Sequence, residues 1–263
     1  MFFFKKKNQL FRLCLWETTH PQNSISTNSI PEKITKLEVI QDKTTLLCGT
    51  GDGKIYSWNL QQQFQQQQYQ QQYQQRQYNQ YHNQHNNQQS QKQNKPILVK
   101  EFSSSILSMS CRDEKVAVGL FRKNPIIVYD VNTGKTIQEL EGHSESVYET
   151  RFGMYSNLLS SVSYDGSTMI WDLRMNNNNN KGPIMEFEDG NGYPVFSIMF
   201  DGIWKVGVGT AYHSTMRLFD LRTKKYRTLF LETGTSSSPI YSLDMDDTRL
   251  SAATGTSLIL LSL

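Results

Sequence analysis

The chain has 263 residues, of which 37% are apolar, and its 27 basic and 24 acidic side chains give a formal net charge of +3. This length allows one large domain with a substantial core, and the near balance of charge argues against a dedicated binder of the nucleic-acid backbone. Because no apolar run approaches the about 20 residues that span a bilayer, and the three cysteines lie far apart, we expect no membrane partner, disulfide framework or zinc site, and a cytoplasmic and/or nuclear location.

The first predicted elements are an alternating strand at residues 11–16 and a hairpin at residues 45–60. In the hairpin, Asp52-Gly53 separates two alternating apolar runs. Asp-Gly favours a tight hairpin turn, since such a turn needs positive φ. Trp58 ends the hairpin, six residues after Asp52.

Residues 61–95 interrupt this pattern with a Gln- and Asn-rich tract in which aromatic residues are scattered. This composition predicts a disordered insert. We interpret it first as a tract that expanded in a tolerant surface loop, and second as a self-associating segment.

The strand pattern then returns four times between residues 96 and 263, most clearly at residues 158–174. There Asp165-Gly166 forms the turn and Trp171-Asp172 ends the hairpin. Each hairpin is preceded by a strand that starts at a β-branched residue: Ile34, Ile106, Val147, Val195 or Ile240. A further segment precedes each of these strands, at residues 11–16, 97–102, 136–140, 183–187 and 226–231. Four strands in about 40–45 residues are typical of propeller blades.

One repeat combines Glu141-Gly142-His143, Val147, Asp165-Gly166 and Trp171-Asp172, and with this motif the chain resembles the WD-repeat family. The resemblance implies an all-β fold, a β-propeller of four-stranded antiparallel blades. Five WD-like repeats are visible, which predicts an atypical or incomplete ring. Residues 1–60 would hold an N-terminal closing strand and the first repeat, residues 61–95 the disordered insert, and residues 96–263 four further repeats of the same propeller. The closing strand, at residues 11–16, would complete the last blade.

A second low-complexity tract, at residues 176–180, occupies a place like that of the long insert. We expect both tracts to follow the last strand of one blade and to precede the outer strand of the next, so that both lie on one face of the propeller. A long loop obstructs docking, and we therefore expect the opposite face, the usual top of this family, to be the working one.

The resemblance also implies a buried structural network, made by His143, Ser163, Asp165 and Trp171. In this family, the residue after the β-branched position and the residue before the turn aspartate commonly point toward the top face. These positions predict a partner-binding surface of Tyr148, Tyr164, Phe196, Tyr212 and Tyr241. Aromatic anchors are typical of protein interfaces, although filling of the central opening is an alternative role for them.

The leading functional interpretation is a non-catalytic scaffold that binds a partner protein or peptide on the propeller face. The alternative comes from the Asp-Leu-Arg endings at Arg174 and Arg222, which resemble the motif of WD-repeat substrate receptors that dock on the adaptor of a cullin-type ubiquitin ligase. A third class, propellers associated with RNA or membranes, would need a basic face, and neither nucleic acid nor membrane is expected as a partner.

No enzyme is expected from this sequence. The glycine-rich run at residues 49–54 is not followed by the Ser or Thr that comes after the lysine of a phosphate-binding loop. The five histidines have no metal-ligand spacing. We therefore predict no catalytic residue, no cofactor and no metal.

Overall fold

The computed structural model describes residues 33–40, 44–60, 97–153, 157–175, 182–188, 192–200, 204–231, 238–245, 249–255 and 257–262, with the side chains of 123 and 124 excepted. It also describes the backbone of residues 2–7, 10–16 and 24–26. In these parts of the chain, no helix has the length and apolar character needed to cross a membrane.

The strands with described bounds form six antiparallel sheets. The first sheet contains β1 (Phe2–Lys7), β2 (Leu10–Trp16) and β3 (Ser24–Ser26), with β2 in the middle. The second contains β4 (Ile34–Val39), β5 (Thr45–Thr50), β6 (Lys54–Asn59) and β7 (Ile97–Glu101). The third contains β8 (Ile106–Arg112), β9 (Lys115–Leu120), β10 (Lys123–Asp130) and β11 (Thr136–Leu140).

The remaining three sheets repeat the same strand order. The fourth sheet contains β12 (Val147–Phe152), β13 (Leu158–Ser163), β14 (Ser167–Asp172) and β15 (Met185–Glu188). The fifth contains β16 (Val195–Phe200), β17 (Lys205–Thr210), β18 (Thr215–Asp220) and β19 (Lys225–Phe230). The sixth contains only β20 (Ile240–Met245), β21 (Arg249–Thr254) and β22 (Leu258–Ser262).

The second to sixth sheets pack face to face in chain order. Their first strands lie side by side, in the order β4, β8, β12, β16 and β20, and apolar residues fill the layers between neighbouring sheets. The described residues show no comparable packing of β20 against β4. The all-β fold with four-stranded antiparallel blades is therefore confirmed, and the described blades form a consecutive array without a closed ring.

The Asp-Gly turns form where the sequence predicts them. Gly53 joins β5 to β6 with φ of 86°, and Gly166 joins β13 to β14 with φ of 83°. Both values lie in the left-handed region that glycine adopts without a steric penalty. We call the end of each blade that carries these turns the hairpin-turn end.

The predicted closing strand does not complete the last blade. Residues 11–16 lie in β2, whose two edges are occupied by β1 and β3, and β22 pairs with β21 alone among the described residues. Only two residues separate β1 from β2 along the chain. A hairpin with so short a connection loses little entropy on closure, whereas pairing with β22 would close a loop of nearly the whole chain.

The two low-complexity tracts also connect different strands from those expected. Residues 61–95 lie between β6 and β7, and residues 176–180 lie between β14 and β15, so each tract joins two strands of the same blade. The tracts themselves, and with them the predicted disorder of the insert, lie outside the described residues. Because neighbouring strands are antiparallel, both tracts leave their sheets at the end opposite the hairpin turns.

Candidate functional site

A hydrogen-bonded chain of four side chains crosses the fourth sheet. The Trp171 Nε1–H group donates to Ser161 Oγ at 2.8 Å, and Ser161 Oγ lies 2.7 Å from His143 Nε2. His143 Nδ1 lies 3.1 Å from Asp165 Oδ2. Because the Asp165 carboxylate can only accept, His143 carries its proton on Nδ1 and donates it in a hydrogen bond to Asp165. His143 Nε2 therefore accepts a hydrogen bond from the Ser161 hydroxyl.

The serine in this network is Ser161 and not the predicted Ser163. Ser163 Oγ instead accepts from the backbone N–H of Asp165 at 3.2 Å, which stabilises the turn. Both serines are on one face of β13, and only the register, in which Leu159 pairs with Trp171, brings Ser161 beside the indole. Burial raises the pKa of Asp165, but hydrogen bonds from His143 and Ser167 outweigh it and hold this pKa below its ordinary value.

The second sheet contains an incomplete version of the same arrangement. Leu46 pairs with Trp58 as Leu159 pairs with Trp171, so Cys48 takes the position of Ser161. Trp58 Nε1 is buried and has no hydrogen-bond partner among the described residues. Burial raises the pKa of the Cys48 thiol to about 12. A neutral thiol is a weak acceptor and does not replace the serine hydroxyl.

Four aromatic side chains form a continuous row at the hairpin-turn end, which we call the aromatic row: Tyr164, Tyr148, Phe196 and Tyr241. The ring centroids of Tyr148 and Phe196 are 4.6 Å apart. Tyr164 extends the row on one side, at 6.1 Å from Tyr148, and Tyr241 extends it on the other, stacked at 6.1 Å from Phe196. The row therefore connects the fourth, fifth and sixth sheets.

The outer members of the aromatic row are open to solvent. Tyr164 is 49% exposed and Tyr241 is 58% exposed, while Tyr148 and Phe196 between them are half-buried. Their positions follow from the strand register, in which Val147, Val195 and Ile240 pair with the last residues of the neighbouring strands. The residue after each of them is thereby placed at the hairpin-turn end.

Tyr212 lies outside the aromatic row. Its ring contacts Tyr193 at 5.2 Å, and Tyr193 also contacts His213 at 5.5 Å. The turn between β17 and β18 has one residue more than the Asp-Gly turns, and His213 and Ser214 both have positive φ. Tyr212 therefore occupies the position of the turn aspartate. The sequence pattern predicts it one position earlier, at the position of Tyr164.

Two aromatic residues at the same end were missed by the sequence analysis. Phe121, 41% exposed, corresponds to Tyr164, because the backbone N–H of each bonds the carbonyl just before the first strand of its blade. Tyr193 precedes that strand in the fifth blade. The signal for Phe121 was its place at the end of β9, but the turn there contains no Asp-Gly to mark it.

A carboxylate next to the aromatic row connects three blades. Glu149 Oε2 accepts from the backbone N–H of Ile198 at 2.9 Å, and Glu149 Oε1 lies 3.5 Å from Lys36 Nζ. Glu38 faces the same group of charges, and its burial raises its pKa to about 7 even though Arg151 and Lys36 lower it. The Glu149–Ile198 bond holds β12, which carries Tyr148, against β16, which carries Phe196.

The two predicted docking arginines lie at the end of the blades opposite the hairpin turns. Each donates hydrogen bonds to an aspartate two residues before it in the chain. Arg174 donates from Nε and Nη2 to Asp172 at 3.0 and 2.7 Å, and Arg222 donates to Asp220 at 3.1 and 2.7 Å. These bonds lower the pKa of both carboxyl groups. Both guanidinium groups are exposed, so the ion pairs lie at the surface. Their geometry is defined because each arginine makes two bonds to its aspartate.

Residues 134–172 match the model of the family described as WD domain, G-beta repeat. This stretch of the chain is a WD repeat. It contains the whole network from His143 to Trp171, together with Tyr148 and Tyr164 of the aromatic row.

Two curated relatives of this chain are both named F-box/WD repeat-containing protein 4. The relative from Mus musculus is 29% identical over 134 residues, which are 49% of this chain and 32% of the relative. The relative from Homo sapiens is 28% identical over 138 residues, with the same shares of 49% and 32%. The similarity thus spans about a third of the length of these relatives.

The described part of this chain contains no group of three or more His, Cys, Asp or Glu side chains that could hold a metal ion. His143 and Asp165, which could otherwise resemble a catalytic pair, are both committed to the structural network with Ser161 and Ser167. The aromatic row itself offers aromatic contact and hydrogen bonding by tyrosine hydroxyls.

Proposed function

We propose that this chain is a non-catalytic interaction scaffold that binds a partner protein or peptide on the aromatic row. The observation that carries the proposal is the exposure of Tyr164 and Tyr241 at the two ends of a row whose middle rings are packed in place. Tyrosine combines a large apolar ring with a hydroxyl, so it is a common anchor in protein interfaces.

The surroundings of the aromatic row support this role. Tyr148 and Phe196 are fixed by contact with each other and by the Glu149 bond to β16, so little side-chain entropy remains to be lost on binding. The described strands that flank each low-complexity tract end on the side of the blade opposite the aromatic row. The relatives with F-box and WD repeats in their names are compatible with an interaction protein.

Proximity labelling in the native cell tests the proposal. The chain would be compared with a Tyr164→Ala/Tyr241→Ala variant, in which the exposed rings are removed, and with a Tyr148→Ala/Phe196→Ala variant. Tyr226→Ala is the matched control, because this tyrosine is equally open to solvent but lies on the outer strand β19.

We expect both double variants to lose the same set of neighbours and the control to keep it. Circular dichroism and thermal unfolding of the purified chains establish that each variant is folded. An unchanged set of neighbours in the Tyr164→Ala/Tyr241→Ala variant would refute the aromatic row as the binding surface.

A second candidate function is a substrate receptor of a cullin-type ubiquitin ligase. The exposed Arg174 and Arg222, held by their own aspartates, and the similarity to proteins named for an F-box favour it. In this case the aromatic row would bind the substrate, and the arginine end would contact the adaptor. Recovery of a cullin adaptor in a pull-down, lost in Arg174→Ala and kept in Lys135→Ala, is the expected result. Equal recovery with both variants would exclude this use of Arg174.

A further inference from the structure

Two strands of non-adjacent blades carry complementary pairs of charges. β4 of the second sheet has Lys36 and Glu38, and β12 of the fourth sheet has Glu149 and Arg151. In each strand the two charged residues are two positions apart, so they lie on one face of the strand. The order of the charges is reversed between the two strands, so that each cation can meet an anion of the other strand. We call these four side chains the cross-blade cluster.

The strand register places the members of the cross-blade cluster at matching levels. β4, β8 and β12 each have a register shift after their first residue, so Lys36, Ser108 and Glu149 occupy equivalent positions. β8 lies between the other two strands and carries short side chains at the two levels concerned, Ser108 and Ser110. Long side chains of β4 and β12 can therefore meet across β8, and Lys36 Nζ lies 3.5 Å from Glu149 Oε1.

The Glu149 carboxylate is shared between three groups. Its Oε2 atom accepts from the backbone N–H of Ile198 in β16 at 2.9 Å, which joins the fourth blade to the fifth. Its Oε1 atom lies near two cations, at 3.5 Å from Lys36 Nζ and at 3.9 Å from Arg151 Nε. Both distances are long for an ion pair, so neither cation holds this oxygen fully. Glu149 directly follows Tyr148 in the chain, so the group that binds Oε1 also affects how β12 is held against β16.

We propose that the cross-blade cluster is a proton-controlled clamp that positions the aromatic row. When Glu38 carries a proton, Glu149 is the one anion of the cluster, and both cations compete for its Oε1 atom. When Glu38 loses the proton, it attracts Arg151 away from Glu149, and Lys36 is left to pair with Glu149. Two ion pairs then connect the second and fourth blades.

The closed clamp acts on the centre of the aromatic row. With Oε1 held by Lys36 and Oε2 by the N–H of Ile198, the Glu149 carboxylate is fixed at both oxygens, and β12 is fixed against β16. The contact between Tyr148 of β12 and Phe196 of β16 is thereby tightened. Because the clamp would regulate partner binding, this inference rests on the proposed function of the aromatic row.

Glu38 is the member of the cluster that changes charge in the neutral pH range. Burial raises its pKa to about 7, although the two cations of the cluster lower it. β5, which pairs with β4, contains no charged residue, and β8 contains one, Arg112, in its last position. Of the thiols next to β4, Cys48 stays neutral because burial raises its pKa to about 12, and Cys111 donates to the carbonyl of Val39 at 3.5 Å. The clamp is therefore open below pH 7 and closed above it.

Fluorine NMR of the full chain tests the clamp without a partner. A fluorinated phenylalanine is placed at position 196 alone, where the natural ring lies 4.6 Å from that of Tyr148. The fluorine shift is followed from about pH 6 to about pH 8, on both sides of the transition. The same label in a Tyr148→Leu variant gives the shift without the tyrosine ring, so the difference between the two chains reports the ring contact. We expect this difference to grow as the pH rises, with a midpoint near 7.

The direction of the change separates the clamp from a general effect of pH on stability. Ionisation of the buried Glu38 lowers the stability of the folded chain as the pH rises through 7. A fold that merely loosened would therefore reduce the ring contact at high pH, whereas the clamp increases it.

Four variants identify the groups that carry the change. Glu38→Gln keeps this side chain neutral, and Arg151→Met removes the cation that the ionised Glu38 attracts, so each should abolish the change. Glu139→Gln, at an exposed carboxylate of the outer strand β11, is the matched control and should keep it. His213→Gln should also keep it, and is included because this exposed histidine lies at the hairpin-turn end and histidines gain protons in the same pH range. Thermal unfolding at each pH checks that the variants are folded.

Three results would overturn the clamp: a ring contact that does not change with pH, a contact that weakens as the pH rises, or a change that persists in Glu38→Gln. Because no partner takes part in the measurement, these results judge the clamp alone. Proximity labelling judges the binding role of the aromatic row separately.

Discussion

Ser161 occupies the centre of the buried network, and its replacement by alanine is the most direct test of that network. The Ser161 hydroxyl accepts a hydrogen bond from Trp171 Nε1 at 2.8 Å and donates one to His143 Nε2 at 2.7 Å. Ser161, His143 and Trp171 are all buried, so water cannot replace the lost oxygen without opening the blade. Ser161→Ala therefore leaves one indole donor and one imidazole acceptor without a partner.

The expected loss of stability follows from these two groups. A buried polar group left without its partner costs about 1–3 kcal/mol, and two such groups lead us to expect a loss of about 2–6 kcal/mol in the free energy of unfolding. The neighbouring Ser160 is a matched control. It is equally buried, but its hydroxyl makes one bond, a donation to the carbonyl of Arg151 at 3.0 Å, so Ser160→Ala should cost about 1 kcal/mol.

Equilibrium unfolding in urea, followed by tryptophan fluorescence and by circular dichroism, measures both variants. Coincident transitions would show that a single free energy of unfolding applies. A Ser161→Ala variant that loses no more stability than Ser160→Ala would refute the argument, because the network would then contribute no more than an ordinary hydrogen bond.

The second blade offers the reverse experiment. Cys48 stands where Ser161 stands in the fourth sheet, and in the part of the chain that the structure describes Trp58 Nε1 lacks a hydrogen-bond partner. Cys48→Ser supplies an oxygen acceptor beside this indole and should raise the free energy of unfolding by about 1 kcal/mol. A loss of stability in the same urea experiment would show that the indole and position 48 do not meet as the register implies.

Three further outcomes are expected. Burial raises the pKa of Glu38 from 4.5 to about 7, so its stabilising contribution is complete below pH 4.5 and is lost as the pH rises through 7. In urea unfolding at pH 5 and pH 8, Glu38→Gln should remove up to about 3 kcal/mol of the difference in stability, and an unchanged difference would contradict the shift. Gly119→Ala places a methyl group 2.8 Å from the carbonyl oxygen of Val147, so it should lower the unfolding free energy by about 1–3 kcal/mol, and an unaltered midpoint would exclude this close approach. Tyr129→Phe removes a buried hydroxyl that has no hydrogen-bond partner within the described ranges, so it should leave stability unchanged or raise it; a marked loss would show that the hydroxyl makes a stabilising contact.

The candidate site was partly accessible to sequence reasoning. Tyr148, Phe196 and Tyr241 could be grouped because each follows a β-branched residue at the start of a blade, and the structure places their rings in contact. Tyr212 was assigned to the same group, but one additional residue in its turn moves it beside Tyr193. The longer turn contains two residues with positive φ, His213 and Ser214. Because the turn has no Asp-Gly pair, the sequence pattern does not indicate its length.

Sequence reasoning also could not decide whether Ser161 or Ser163 bonds the indole of Trp171. Side chains two positions apart point to the same face of a strand, so spacing alone cannot say which of them reaches the indole of Trp171. The decision lies in the pairing register between β13 and β14, which is set by packing across the whole sheet.

The amino-acid order alone determined the elements whose cause is local: alternating strands, Asp-Gly turns and the recurrence of a four-strand unit. Tertiary structure decided which strand edges meet. Among the described strands, β2 pairs with its near neighbours β1 and β3 and not with β22, and the low-complexity tracts fall within blades and not between them. The reason is that alternation specifies the two faces of a strand, whereas every strand offers the same backbone groups along its edges, so partner choice depends on loop closure and on packing with residues far away in the chain.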